Sequence, residues 1–233
     1  MKQAKSALIF GLAIAAAGFV TPHVFAQDSA EFTKRGIELA NKKQFAQAAE
    51  AFGQAIKADP GDSKHYLTRG RAWKAAGKLE EAEKDFTKVV EMSPDLAQGM
   101  AERGKLRVTQ KRYDEAIEDL TKAINMDADD VETIRFRAFA YIGKSDFDKA
   151  IEDYSTIIEE KPKDVEAHRR RGYAYVSKGD KEKAAEDFRA LLKLKPGDED
   201  AQARLKAIEG KGGSAAPAPD AQAKPPGGGK PGA

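Results

Sequence analysis

The 233-residue chain contains no cysteine. No disulfide can close its fold, and a cysteine-based zinc site is excluded, so stability has to come from a packed apolar core. Histidine is nearly as scarce. Of three, only His65 and His168 lie beyond the first 26 residues, and they are too far apart to share a metal or form a catalytic pair. No charge sign dominates either: 40 Lys and Arg face 38 Asp and Glu, a net charge of +2. That balance excludes a strongly basic nucleic-acid binder, and no nucleic-acid partner is expected. No segment alternates polar and apolar residues for long enough to make a strand, so the fold is expected to be all-α.

Long apolar runs are missing except at the start. Lys2 and Lys5 precede an apolar stretch from Ala7 to Val20, and small residues lead to Ala26. A charged start, a run too short to span comfortably and a cut after Ala26 make residues 1–26 a signal peptide by expectation, with an uncleaved anchor as the alternative. Pro22 and His23 interrupt the run and favour the signal peptide. The mature chain is then exported, periplasmic or secreted, with no membrane insertion after cleavage. At the other end, residues 210–233 hold 12 Gly and Pro among 24 positions and no large apolar side chain. Nothing there offsets the entropy of ordering, so a disordered tail is expected. Once both ends are set aside, residues 27–209 carry 35 basic and 37 acidic side chains. The slight basicity of the whole chain belongs to its ends.

Proline is sparse between those ends, and its spacing is informative. Pro60, Pro94, Pro162 and Pro196 stand 34, 68 and 34 residues apart, with Ala128 in the missing place. Blocks cut on that period run over 29–62, 63–96, 97–130, 131–164 and 165–198 without insertion or deletion. Position 8 is Gly36, Gly70, Gly104, Ala138 and Gly172; position 20 is always Ala; position 24 is Phe52, Phe86, Leu120, Tyr154 and Phe188. Each block reads as two amphipathic helices around a turn such as Ala76-Gly77-Lys78, with proline closing the second helix. Small residues at 8 and 20 permit close helix approach, and the large residue at 24 fills the space between.

This pattern resembles the tetratricopeptide repeat over residues 29–198. Repeat 3 departs from it, with Met100, Arg107 and Ala128 at positions 4, 11 and 32. The resemblance implies a right-handed superhelical solenoid of five helix-turn-helix repeats over 27–209, with residues 199–209 as a capping helix that covers the last apolar face.

Position 7 is Arg in every block, which invites a polyanion track. At about 100° per residue that position falls on the packed side of the first helix with positions 4, 8 and 11. A buried arginine needs a carboxylate. Asp85, Asp119, Asp153 and Asp187 at position 23 supply one in four blocks, with Ala51 in the first. Structural ion pairs are therefore expected for Arg69, Arg103, Arg137 and Arg171, each with the Asp of its own or the preceding repeat.

The resemblance also implies a concave groove lined by the opposite face of each first helix. Carried over by position, Arg71, Lys74, Lys105, Arg135 and Arg169 give it positive charge, while Phe139 and Tyr173 give it apolar area. Such a floor suits a partner peptide with acidic and apolar groups. The chaperone-carboxylate clamp of some relatives is not expected, because Thr33, Ile37, Thr68, Gln98 and Glu102 stand at its positions.

Catalytic patterns are absent. Ile142-Gly143-Lys144-Ser145 matches only the end of a phosphate-binding loop and sits in a helix-to-helix turn, where a strand would be required. Glu132 and Glu166 lie one repeat apart, too distant for paired acid and base chemistry. No enzyme activity, metal or cofactor is expected. The leading expectation is an adaptor or scaffold of the cell envelope that binds another protein; the alternative is a structural or self-assembling envelope protein acting through its ends or tail.

Overall fold

A computed structural model describes residues 22–210 and 225–226; the apolar leader up to residue 21 and the rest of the tail lie outside the described residues. Eleven helices and no strand occur among the described residues. They run as α1 (Pro22–Asn41), α2 (Phe45–Ala58), α3 (Ser63–Ala75), α4 (Leu79–Met92), α5 (Ala97–Thr109), α6 (Tyr113–Met126), α7 (Val131–Gly143), α8 (Phe147–Glu160), α9 (Val165–Lys178), α10 (Lys181–Leu194) and α11 (Glu199–Glu209). No described helix is long and apolar enough to cross a membrane.

Local sequence explains the punctuation. Asp62, Asp130, Asp164 and Asp198 are N-caps of α3, α7, α9 and α11, each accepting a hydrogen bond from a first-turn backbone N–H. Leu96 takes that place before α5 and offers no side-chain cap. The turn inside each helix pair places one residue in the left-handed region: Lys43, Gly77, Lys111, Ser145 and Gly179, with φ between 59° and 82°. These five occupy the same position of successive blocks. Lys111 holds φ at 60°, which an L side chain adopts at a cost that glycine avoids. Lys111→Gly is expected to raise stability by about 0.5–1 kcal/mol, net of glycine's larger unfolded-state entropy, as read by chemical denaturation. The Gly143-Lys144-Ser145 stretch is the same turn in repeat 4. Gly143 lies under the Tyr113 ring, where a Cβ would overlap the aromatic carbons.

Packing follows the block pattern. Phe52, Phe86, Leu120, Tyr154 and Phe188 are 0–3% exposed, and the position-20 alanines are fully buried. Phe86 rests on the backbone of Gly70, whose added Cβ would stand 2.7 Å from the ring. Its cluster contains Leu67, Ala82 and Val89 and reaches Leu106 of the next repeat. Ala201 of α11 is fully buried against Phe188 and Leu191.

Each helix packs on the next in sequence, and α3 also meets α5, as α5 meets α7. First helices of successive repeats therefore approach each other more closely than second helices do, and they line the inner side of the curve. The array is an all-α repeat solenoid.

Candidate binding groove

The position-7 arginines are held inside the repeats. Arg69 donates from Nε and Nη2 to Asp85 at 2.9 and 2.7 Å, and Arg103 to Asp119 at 2.8 Å for both. Arg137 meets Asp153 at 3.0 and 2.7 Å, and Arg171 meets Asp187 at 2.9 Å twice. In every case the aspartate belongs to the same repeat, so each forked pair joins the two helices of one unit. A remaining N–H reaches back one repeat: Arg103 to Thr87 at 3.4 Å, Arg137 to Thr121 at 3.3 Å, Arg171 to Ser155 at 2.9 Å. These hydroxyls recur at position 25, a signal the sequence carried in plain view. In the pair of repeats 1 and 2 that position is Gly53. Arg35 has no such aspartate, since Ala51 replaces it, and among the described residues it makes no ion pair.

The cations expected on the groove floor are present, but each is matched. Arg71 donates to Glu102 at 3.0 Å, and Lys74 donates to the same carboxylate. Lys105 lies 3.7 Å from Asp130. Arg135 donates to Asp164 at 2.6 Å, and Arg169 to Asp198 at 2.7 Å. Three of these carboxylates are the N-caps of α7, α9 and α11, so a single side chain both caps a helix and neutralises the preceding repeat. The positive floor inferred from sequence is therefore corrected to a floor of inter-repeat ion pairs.

Phe139 and Tyr173 need a second correction: both are 4% exposed and give no open apolar floor. Phe139 packs with Val108, Leu120 and Ala140, and the Arg170 guanidinium lies 5.8 Å from its ring centre. Tyr173 packs with Phe188 and donates its hydroxyl to Asp200 of α11. Helical phase measured against one partner placed these residues outside, whereas the next first helix closes over them.

Electrostatics reflects the pairing. Burial pushes the Glu102 carboxyl up, yet Lys74, Arg71 and Lys105 together outweigh it and hold it below the ordinary value. Asp164 is also held low, with burial overcome by Arg135 and the Ala167 N–H, and so is Asp198, with burial overcome by the Ala201 N–H, Lys195 and Arg169. Asp153 goes the other way, because burial lifts it more than Arg137 lowers it. A carboxyl depressed in the folded state stabilises fully above its unfolded value, about 4, and loses that contribution as pH falls through the folded one. With three such inter-repeat carboxylates against Asp153, melting temperature is expected to be flat from pH 7 to 5 and to fall steeply below pH 4, as thermal circular dichroism would show.

Among the described residues, two clefts lie along the inner face. One, ≈ 260 Å³, lies between repeats 1 and 2 and is lined mainly by Ile37, Ala40, Phe45, Phe52, Ala72 and Ala75, with Asn41, Thr68 and Arg71 at its polar edge. Ile37 is 49% exposed there, unusual for a large apolar side chain. The other, ≈ 400 Å³, lies across α3, α5 and α7. Sequence reasoning identified Arg71, Lys74 and Lys105 by position but missed Phe45, Thr109 and Phe136, which enter only through stacking. Among the described residues no group of His, Asp or Glu could hold a metal ion.

Helix pairs stacked in register, small-to-large contacts within each pair and an inner face of first helices define a helical-repeat interaction scaffold. The tetratricopeptide repeat model matches residues 33–97, 67–132 and 137–199, and the chain belongs to that family. Its members are generally non-catalytic adaptors that bind proteins or peptides. A MamA crystal structure is similar at 24% identity and a TM-score of 0.68, covering 73% of this chain and 93% of that one. MamA from Desulfovibrio magneticus RS-1 is similar at 19% identity and 0.71, covering 75% and 99%. YrrB, described as a TPR protein with an unusual peptide-binding site, is similar at 18% identity and 0.68, covering 80% and 100%. At these identities the likeness is one of fold. No curated protein matches the chain in sequence.

Proposed function

We propose that this chain is a non-catalytic adaptor of the cell envelope that holds a segment of a partner protein along its inner face, anchored by an apolar side chain in the cleft beside Ile37. The observation that carries this reading is the exposure of Ile37 inside a concave, mostly apolar cleft, while Arg71, Lys74, Lys105, Arg135 and Arg169 are each already paired with a carboxylate. An acidic partner loses its rationale with those pairs, and an apolar anchor gains one. Export through residues 1–26 to the periplasm or medium belongs to the same proposal; sequencing the amino terminus of the protein recovered from cells tests it, with Gln27 as the expected first residue.

Ile37→Glu tests the groove. Because Ile37 is half outside the core, the melting temperature is expected to stay within about 2 °C, while recovery of a crosslinked partner from envelope extract drops at least tenfold. Equal recovery of every partner by both proteins counts against the groove.

A self-assembling role has one observation of its own. Phe32, Arg35, Leu39 and Ala51 line a cleft of ≈ 380 Å³ on the side of repeat 1 where a preceding repeat would stack. End-to-end association there predicts a mass that rises with concentration in sedimentation; one constant mass excludes it.

A further inference from the structure

The cleft across α3, α5 and α7 is lined by Lys74, Glu102, Lys105, Thr109, Glu132 and Phe136, and by two residues far away in sequence, Pro225 and Pro226. Both prolines are half-buried, although the sequence around them is Gly, Ala and Lys with nothing else to bury. We infer that this cleft is a binding site for a proline dipeptide and that the chain's own Pro225-Pro226 is its intramolecular occupant.

The chemistry of the lining suits that ligand. Proline has no N–H, so a docked Pro-Pro pair leaves only carbonyl oxygens to satisfy, and the Lys74 and Lys105 ammonium groups, each with three N–H and one carboxylate contact, are donors. The pyrrolidine rings need flat apolar support, which the Phe136 ring and the lysine stems give; Lys105 Nζ stands 5.8 Å from the ring centre of Phe136. The Lys74 and Glu102 pair, held ionised, closes one wall without offering a free charge. A Pro-Pro segment is already restricted in φ, so docking orders little that was free.

Chain length permits the contact. Residues 211–224 separate the end of the array from Pro225, and 15 peptide steps of at most ~3.6 Å reach about 50 Å. The path from α11 back to α7 and α5 crosses two to three first helices, roughly 20–30 Å at about 10 Å each. A tether of this length presents the dipeptide at an effective concentration on the order of millimolar. An external segment that uses the same cleft meets a groove occupied in cis, and its apparent affinity falls by the fraction of molecules with the tail released. This inference rests on the inner face being the binding surface and adds that its middle section is gated by the tail.

The test uses the full chain and a fluorescein-labelled synthetic peptide of residues 219–230 as probe. Three proteins are compared by anisotropy: wild type, Pro225→Gly/Pro226→Gly, and the double variant carrying also Thr109→Arg, which fills the exposed rim of the cleft. The Pro225→Gly/Pro226→Gly chain is expected to bind the probe at least tenfold more tightly than wild type. Thr109→Arg should abolish that gain, with a melting temperature matching its parent, and a probe with both prolines replaced by glycine should not bind. Equal affinity of wild type and the double variant, or equal binding of the glycine probe, overturns the proposal. A wild-type mass that grows with concentration and becomes constant in the double variant also overturns it, since the tail then enters a second copy. Partner recovery with Ile37→Glu reads the other end of the groove, so failure here and failure of the adaptor reading give different results.

Discussion

Asp119→Asn is expected to cost about 3–5 kcal/mol, among the largest effects of any single polar substitution in this chain. Asp119 is 2% exposed and takes three charge-assisted bonds, two from Arg103 and one from Arg107 at 2.7 Å. Asparagine keeps the shape but removes the counter-charge, leaving two largely buried guanidinium groups facing an amide that can accept on one side only. Arg107 retains Glu83 and Glu115 as alternatives, whereas Arg103 keeps only the weak Thr87 contact. At roughly 2–4 °C per kcal/mol for a domain of this size, the melting temperature falls by about 10 °C. Arg103→Met/Asp119→Leu should recover part of the loss, because replacing both partners by apolar groups removes the unpaired charge. Asp119 sits between α5 and α6, away from both clefts, so binding is expected to be unchanged. An unaltered melting temperature would show that the arginine ladder is not structural.

Phe86→Ala is expected to be of similar size, about 3–5 kcal/mol, for a different reason. The ring is fully buried, touches the α3 backbone through Gly70 and packs beside Leu67, Val89 and Leu106. Truncation leaves a cavity whose walls are helices already tied by the Arg69–Asp85 and Arg103–Asp119 pairs, so little collapse is available. Because repeats contact only their neighbours, the damage should be local: hydrogen exchange is expected to accelerate first in α3 to α6 while α8 to α11 keep their protection. Met126→Ala is the control, since Met126 is 48% exposed and its loss should leave the melting temperature almost unmoved. Uniform acceleration along the array would contradict the nearest-neighbour account.

Much of this fold was legible because one period repeats without interruption. Small position 8 against large position 24 predicted a contact, and Gly70 beneath Phe86 is that contact. Pairing a packed-side arginine with position 23 followed from the cost of a lone buried charge, and the aspartate of the same repeat answers it. The groove was less legible. Position 9 looks like an outer position on an isolated helix, and Ile37 and Arg71 are exposed there, but Phe139 and Tyr173 at the same position are buried. What differs is how the following first helix lies across each one, and no local pattern encodes that.

The sequence alone therefore determined the all-α class, the 34-residue unit, the small-to-large packing pairs and the arginine–aspartate ladder. All of these repeat along the chain with a fixed phase, and each is settled within one helix pair. Only the tertiary structure decided which inner-face residues remain available. Arg135 reaches Asp164 and Arg169 reaches Asp198 across 29 positions, from one repeat to the cap of the next helix. Such contacts depend on the angle and spacing at which repeats stack, and so does the cleft where Pro225 and Pro226 meet α3, α5 and α7. Periodicity fixes the partners inside a unit, while stacking fixes which charges are cancelled and which apolar surfaces stay open between units.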